Sequence, residues 1–292
     1  MSPGAGLSPF EPPVLWVTGG YGLIGRYLCN QAERRWPRCR VVRVGRPGME
    51  LTDLDSVARR FSEDGPSAVV HCAAMSRSPA CQADPVRARL HNVEVTRHLA
   101  ALSVGIPFVL LSTDLVFRGD RGGLDESATP DPISVYGETK VEAEEWVRRL
   151  SRHLIIRTSL NYGHSPSADR AFNEEMIQAW RSGRTLRLFT DEYRTPIAAV
   201  ETAQTILDLL AMGVSGTLHV AGGERLSRWE LGDLIASLHP SLDTRREATS
   251  LRDYQGPPRA ADVTLDCRKA EGLLGRSMPR FSEWLRDFGP GD

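Results

Sequence analysis

The chain has 292 residues, long enough for one large domain or two tightly joined ones with ample core. Apolar residues make up 41% and charged residues 25%, a globular balance that argues against a disordered or fibrous chain. The net charge is −1, which gives no broad attraction to nucleic acid or to an anionic membrane surface, so neither is expected as a partner.

The N-terminal stretch "MSPGAGLSPFEPP" lacks both a basic segment and an apolar core, so it does not read as a signal peptide. Residues 1–12 are expected to be a disordered leader. "VLWVTGGYGLIGRYLCNQAERR" follows: a short apolar strand, a run of glycines, then a helical pattern with Leu23, Tyr27 and Leu28 on one side. "CRVVRV" is a second buried strand, and "LTDLDSVARRF" a helix with Thr52 or Asp53 as N-cap. "SAVVHCAA" is a third strand. "DPVRARLHNVEVTRHLAALSVG" predicts one long amphipathic helix closed by Gly105. "PFVLLST" is a fourth strand, "FRGDRGGLDESATPDP" a loop, "SVYGETKVEAEEW" a helix and "HLIIRTS" a fifth strand.

Strands that are apolar throughout and alternate with helices predict a parallel sheet covered on both faces. The expected fold class is α/β, a Rossmann-type doubly wound parallel sheet with a smaller mixed α/β C-terminal substrate lobe. Beyond about residue 160 the pattern loosens. Helices are expected near 170–182, 198–212, 227–238 and 267–274, mixed with short strands such as "TLRLF" and "GTLHVA". The domain reading is a leader over 1–12, a dinucleotide-binding domain over 13–160, and a substrate lobe over 161–292 interleaved with the first.

No apolar run reaches membrane-spanning length, and no repeats are evident. Five scattered cysteines without a C-x-x-C pair fit a reducing cytoplasm. The histidines form no paired-ligand pattern, so no metal site is predicted. Cys72 reads as buried core, because no histidine is spaced to serve it as a base.

The loop "TGGYGLIG" lies directly between the first strand and the first helix. Gly20, Gly22 and Gly25 satisfy G-x-G-x-x-G, and Gly19, Gly22 and Gly25 satisfy G-x-x-G-x-x-G. Either spacing supplies a tight turn, a close backbone approach for a pyrophosphate, and a helix N-terminus to meet the anion. Tyr21, Leu23 and Ile24 share this cofactor-binding segment. The second strand ends in "VVRVGRPG". Arg43 and Arg46 stand where a carboxylate would select NAD, so NADP(H) is expected as the preferred cofactor, with NAD(H) as the alternative.

The fourth strand ends at Ser112 and Thr113, at the carboxyl edge where open α/β sheets bind ligands. Tyr136 and Lys140 follow on a helix, four residues and so about one turn apart. A hydroxyl, a phenol and an ammonium can then converge as acid–base equipment.

These stretches resemble the extended branch of the short-chain dehydrogenase/reductase superfamily, and within it the RmlD-like dTDP-4-dehydrorhamnose reductase family. The resemblance runs through "TGGYGLIG", "VVHCAA", "STDLVF", "VYGETKVEAE", "RTSLNYG", "TDEYRTPI" and "GTLHVAGGERLSRWELG". It implies an oxidoreductase acting on a nucleotide-linked keto-sugar. Tyr136 would be the general acid that protonates the carbonyl oxygen as hydride arrives. Lys140 would lower the phenol's pKa and bind the nicotinamide ribose, and Thr113 would hydrogen-bond the substrate oxygen with Ser112 beside it. Ala73, Ala74 and Met75 would line the dinucleotide and Leu51 would pack near its adenine. Asp114, Leu160 and Arg194 are candidates to touch substrate, although Asp114 could equally cap a turn and Arg194 could instead pair with Asp191 or Glu192. Asn92 is read either as a solvated helix residue or as support for a kink.

The sequence departs from that family at three places. Leu115 replaces the tyrosine of S-T-D-Y-V-F, Leu160 replaces the tryptophan after R-T-S, and "DEYRTPI" replaces D-x-x-G-x-P-T. Two further readings stay open. One is an NADP-binding regulatory or scaffold subunit like the methionine adenosyltransferase β subunit. The other is a nucleotide-sugar epimerase. Helix-mediated homodimers are frequent among such relatives.

Overall fold

The computed structural model describes residues 10–165 and 167–288. Most of the expected leader, residues 1–9, lies outside the described residues. Its last part is tied down: the Phe10 amide donates to the Ala211 carbonyl at 2.8 Å, and the Arg152 guanidinium lies 5.5 Å from the Phe10 ring centre.

The chain runs β1 (Val14–Thr18), α1 (Leu23–Arg35), β2 (Arg40–Val44), α2 (Leu54–Asp64), β3 (Ala68–His71), α3 (Ser78–Ala83), α4 (Pro85–Arg89), a π-helical turn (Leu90–Glu94), α5 (Val95–Leu102) and β4 (Phe108–Thr113). A 3₁₀ turn (Asp114–Val116) precedes α6 (Val135–Val147) and β5 (His153–Thr158). Then come β6 (Asn161–Tyr162), α7 (Phe172–Arg181), β7 (Leu186–Phe189), β8 (Tyr193–Arg194), β9 (Ile197–Ala198), α8 (Ala199–Ala211) and β10 (Gly216–Val220). The last elements are β11 (Leu226–Ser227), α9 (Arg228–Ser237), β12 (Arg246–Thr249), a 3₁₀ turn (Leu251–Asp253), α10 (Arg268–Leu274) and α11 (Phe281–Phe288).

Six strands form one parallel sheet in the order β2-β1-β3-β4-β5-β10. This is the doubly wound arrangement expected of apolar strands alternating with helices. Its strand order reverses beside β1, where β2 lies on one side and β3 on the other, and that switch point opens a crevice at the carboxyl ends. Alternation along β1 fills both faces: Leu15 and Val17 pack with Leu28, Ala32, Ile206 and Leu210, while Trp16 packs with Leu99, Phe108 and Val147. Asp53, one of the two proposed caps, accepts from the Ser56 amide at 3.1 Å.

The chain returns to the main sheet late, because β10 lies beside β5. The rest of the C-terminal half builds a third core around Tyr162, Trp180, Leu231 and Phe281. Among the described residues it carries three two-stranded ladders: β6 with β9, β7 with β12, and β8 with β11.

The single long helix expected from Asp84 to Gly105 is interrupted. Between α4 and α5 the backbone opens into the π-helical turn, which inserts an extra residue and rotates the helix face. Asn92, in that turn, is thereby directed into the core and is 1% exposed. Among the described residues no helix is long and apolar enough to cross a membrane.

Candidate active site

The ends of β1, β3 and β4 bring the sequence-predicted residues to one edge of the sheet. Gly19 adopts φ +67°, and a Cβ there would sit 2.9 Å from the Ala73 amide nitrogen. Gly25 lies against the Gly19 carbonyl, which a Cβ would meet at 2.2 Å. Gly20 is also tightly packed, since a Cβ there would sit 3.0 Å from Arg43 Cβ, but of the two glycines only Gly19 has a positive φ. Gly22 caps α1 without a side-chain acceptor, and the first turn holds no acidic residue, so the helix amides are left for an anion. Tyr21 is exposed, Leu23 and Ile24 are half-buried, and Leu51 is buried in the core under β2.

The two arginines after β2 differ. Arg43 is engaged along α1, donating to Asn30 Oδ1 at 2.9 Å and pairing with Glu33 Oε1 at 3.0 Å. The Arg46 side chain is 72% exposed, and its nearest carboxylate oxygen, on Glu50, is 3.9 Å away. Arg46 is thus the more exposed and less engaged of the two.

Beneath the crevice a chain of hydrogen bonds fixes the end of β3. The Ala73 amide donates to Thr18 Oγ1 at 3.3 Å, and Thr18 Oγ1 lies 2.6 Å from His71 Nδ1. His71 Nε2 lies 2.9 Å from Thr96 Oγ1, which donates to the Asn92 carbonyl at 2.7 Å. Because Thr96 gives its proton to Asn92, it accepts from His71 Nε2–H. Burial with Lys140 nearby pushes the imidazole pKa down to about 3, so the ring is neutral near neutral pH and its Nδ1 accepts from Thr18. Asn92 holds the next residues in place: Met75 N donates to Asn92 Oδ1 at 2.8 Å, and Asn92 Nδ2 reaches the Met75 carbonyl at 3.1 Å and Thr139 Oγ1 at 3.0 Å. Ala74 is exposed beside this anchored segment.

On α6, Ser134 caps the helix through the Gly137 amide at 3.2 Å. Gly137 lets the helix press onto the 3₁₀ turn, since a Cβ would lie 2.2 Å from the Leu115 carbonyl oxygen. That contact sets Tyr136 against Thr113. Burial and the Asp114 carboxylate raise the phenol above its ordinary value, and the Thr113 hydroxyl lowers it. Lys140 is 1% exposed and its ammonium makes no hydrogen bond or ion pair among the described residues. Burial brings it down to about 8, against the opposing pull of Glu144. Cys72 is no nucleophile, because burial pushes its thiol up to about 12.

The substrate-side residues divide. Thr113 Oγ1 donates to Asp114 Oδ1 at 3.1 Å, so a substrate oxygen would compete with that carboxylate for the proton. Asp114 also accepts from Ser159 Oγ at 2.6 Å. Ser112 turns away from this edge and donates to Glu144 Oε1 at 2.6 Å. Leu160 is half-buried against the C-terminal core. Arg194 is 4% exposed, 3.3 Å from Glu192 and 3.7 Å from Asp114, so its charge is met inside the protein. The ion-pair alternative for Arg194 is the one realised in the geometry.

Glu192 links this site to a neighbouring cleft. It is wholly buried and also receives Arg228 at 2.8 Å and Arg259 at 2.5 Å, which hold its carboxyl down at about 2. Arg228 and Arg259 line a cleft of ≈ 370 Å³ together with Arg184, Arg187, Phe172 and Phe189. Sequence reasoning singled out "DEYRTPI" but missed Arg228 and Arg259, which lie 36 and 67 positions from Glu192.

The model of the RmlD substrate binding domain matches residues 14–289. The chain belongs to this family. It is similar to "Probable low-salt glycan biosynthesis reductase Agl14" of Haloferax volcanii, 32% identical over 273 residues that cover 91% of this chain and 88% of that one. A dTDP-4-dehydrorhamnose reductase of Sinorhizobium fredii is 28% identical, covering 93% and 95%. The methionine adenosyltransferase 2 subunit beta of Rattus norvegicus is 26% identical, covering 90% and 83%. Among solved structures, the dTDP-4-dehydrorhamnose reductase of Bacillus anthracis in complex with NADP superposes with a TM-score of 0.86 at 24% identity, covering 94% and 98%. The superposition shows that the two chains share the fold.

Proposed function

We propose that this protein is an NADP(H)-preferring reductase of a nucleotide-linked keto-sugar, working in a reducing cytoplasm. The observation that carries the reading is the buried Thr113–Tyr136–Lys140 group beside a glycine turn that a side chain would block. Reductases among its relatives support the same class of reaction. The chain fits a dinucleotide: the Gly19 turn leaves room for backbone approach, the α1 amides are uncapped, and among the described residues the Lys140 ammonium makes no hydrogen bond or ion pair. When bound, the reduced nicotinamide supplies the hydride.

The chain's own residues do the rest. Tyr136 gives its phenolic proton to the carbonyl oxygen as negative charge develops there, and Lys140, one turn away, stabilises the phenolate left behind. Thr113 offers a second donor once its hydroxyl leaves Asp114. Gly19, Gly22 and Gly25 with Tyr21, Leu23 and Ile24 receive the pyrophosphate, Ala73 to Met75 flank the dinucleotide, and Arg46 meets the 2′-phosphate. The arginine-lined cleft suits a nucleoside diphosphate: Arg184, Arg187, Arg228 and Arg259 offer planar donors to phosphate, and Phe189 a face for the base.

A second reading, an NADP-binding regulatory subunit, is favoured by the methionine adenosyltransferase relative. A retained acid argues against it, since a binder needs none. Tyr136→Phe separates the two. The reductase reading expects NADPH binding to persist while turnover of a nucleotide-linked keto-sugar falls a hundredfold or more, on the order usual for a general acid. Unchanged turnover in that variant would sink the mechanism. A stoichiometric protein partner with no turnover at all would favour the subunit.

A further inference from the structure

The buried face of α6 carries a third ionisable group that the reaction above does not use. Tyr136, Lys140 and Glu144 follow one another at intervals of four, so each lies about one turn from the next. Glu144 is wholly buried, which is costly for a carboxylate unless it is paired and hydrogen-bonded. Here Ser112 Oγ donates to Oε1 at 2.6 Å, Arg157 donates to Oε1 at 3.0 Å and Oε2 at 2.8 Å, and Arg148 donates to Oε2 at 2.6 Å. Ser112 and Arg157 are register neighbours on β4 and β5, so the centre of the sheet pins the carboxylate. The Ser112 hydroxyl is thereby committed to Glu144.

Among the described residues, Lys140 is acted on by one carboxylate, that of Glu144. From the end of β3 it meets His71 and Cys72, both uncharged near neutral pH because burial holds the imidazole at about 3 and the thiol at about 12. From β5, Arg157 is bound by Glu144 itself, and His153 is turned to the Leu150 carbonyl. Asp114 on the 3₁₀ turn and Cys81 on α3 act on Tyr136. Arg89 of α4 pairs with Glu142, and Arg97 of α5 pairs with Glu94. His91 of the π-helical turn senses Glu50, Arg87 and Arg46.

We propose that Glu144 is a positioning residue: a carboxylate clamped by Ser112, Arg148 and Arg157 that keeps the Lys140 ammonium charged for the cofactor ribose and the Tyr136 phenol. Its catalytic consequence rests on the reductase reading, while the charge coupling does not. Burial lowers the amine's pKa, and Glu144 is the largest influence opposing it.

Lys140 and Lys269 are the two lysines of the chain. Lysine labelled with carbon-13 at the ε position therefore gives two NMR signals, and Lys269→Arg assigns them. In Glu144→Gln the Lys140 signal is expected to titrate at least one pH unit lower, a tenfold change in its dissociation constant, and the alkaline loss of NADPH affinity to move down with it. A purely structural Glu144 would lower stability and leave both midpoints where they were. Because Glu144→Gln strands the buried Arg157, Arg148→Gln serves as the second variant. Arg148 is half-exposed, and removing its competing charge strengthens the carboxylate's field, so Lys140 should titrate higher. An unshifted Lys140 in a folded Glu144→Gln protein overturns the proposal, as does an unshifted or lowered one in Arg148→Gln. A shifted lysine in a protein that turns over no keto-sugar would leave Glu144 its role and remove the reductase reading.

Discussion

His71 makes the protein's stability depend on acid in a way that can be isolated. Its ring is locked as the neutral tautomer between Thr18 and Thr96, with a pKa of about 3 in the folded chain against 6.5 when free. The folded value lies below the unfolded one. The contribution is therefore complete above about pH 6.5 and is lost as pH falls toward 3, because the unfolded chain takes up a proton that the native site refuses. At pH 4.5 the penalty is about 2.7 kcal/mol, two pH units at about 1.36 kcal/mol each. Urea unfolding of wild type and His71→Gln at pH 7.5 and pH 4.5 gives a double difference in which other titrating groups cancel. Wild type should lose roughly 2–3 kcal/mol more than the variant. Parallel losses would mean that the imidazole is already charged or that the Thr18–His71–Thr96 chain is broken in solution.

Other outcomes follow from the same geometry. Arg46→Ala should erase the preference for NADPH over NADH in a fluorescence titration, whereas Arg43→Ala, which releases Asn30 and Glu33, should lower thermal stability with little change in that ratio. Arg194→Met should destabilise the fold by roughly 3–5 kcal/mol, because it leaves the buried Asp114 without its counter-charge. A variant of full stability with a raised KM for substrate would return Arg194 to the phosphate. Asn92→Leu should cost roughly 2–3 kcal/mol in chemical unfolding by orphaning the Met75 backbone groups, and it should weaken NADPH binding through that segment. Normal affinity in Asn92→Leu would separate the clamp from the cofactor site.

The parts of this molecule legible in the sequence are those written in local pattern. The parallel sheet announces itself through buried runs such as "VLWV" and "VVH", and the glycine turn through its place between strand and helix. The helices expected near 170–182, 198–212, 227–238 and 267–274 appear as α7, α8, α9 and α10 with ends shifted by one or two residues. Asn92 was ambiguous because a regular helical period does not announce where a π-helical turn will rotate one residue inward. The Glu192–Arg194 pair was one of the alternatives open in the sequence, but the other arginines of the Glu192 cluster were illegible. Arg228 and Arg259 come from α9 and from the segment before β-bridge residue Asp262, and only tertiary packing brings them to Glu192. The β7–β12 ladder likewise joins segments about sixty positions apart, beyond any periodicity. Ser112 looked available to substrate because its partner Glu144 lies 32 positions away.

Reduction of a nucleotide-linked keto-sugar by this chain is tested by NADPH consumption when purified protein is mixed with such a sugar, with product identified by mass. One reduced sugar should form per NADPH consumed, and no such product should form with Tyr136→Phe at comparable enzyme concentration. NADPH binding without any reduced sugar, across nucleotide-linked keto-sugars of different bases, would contradict it.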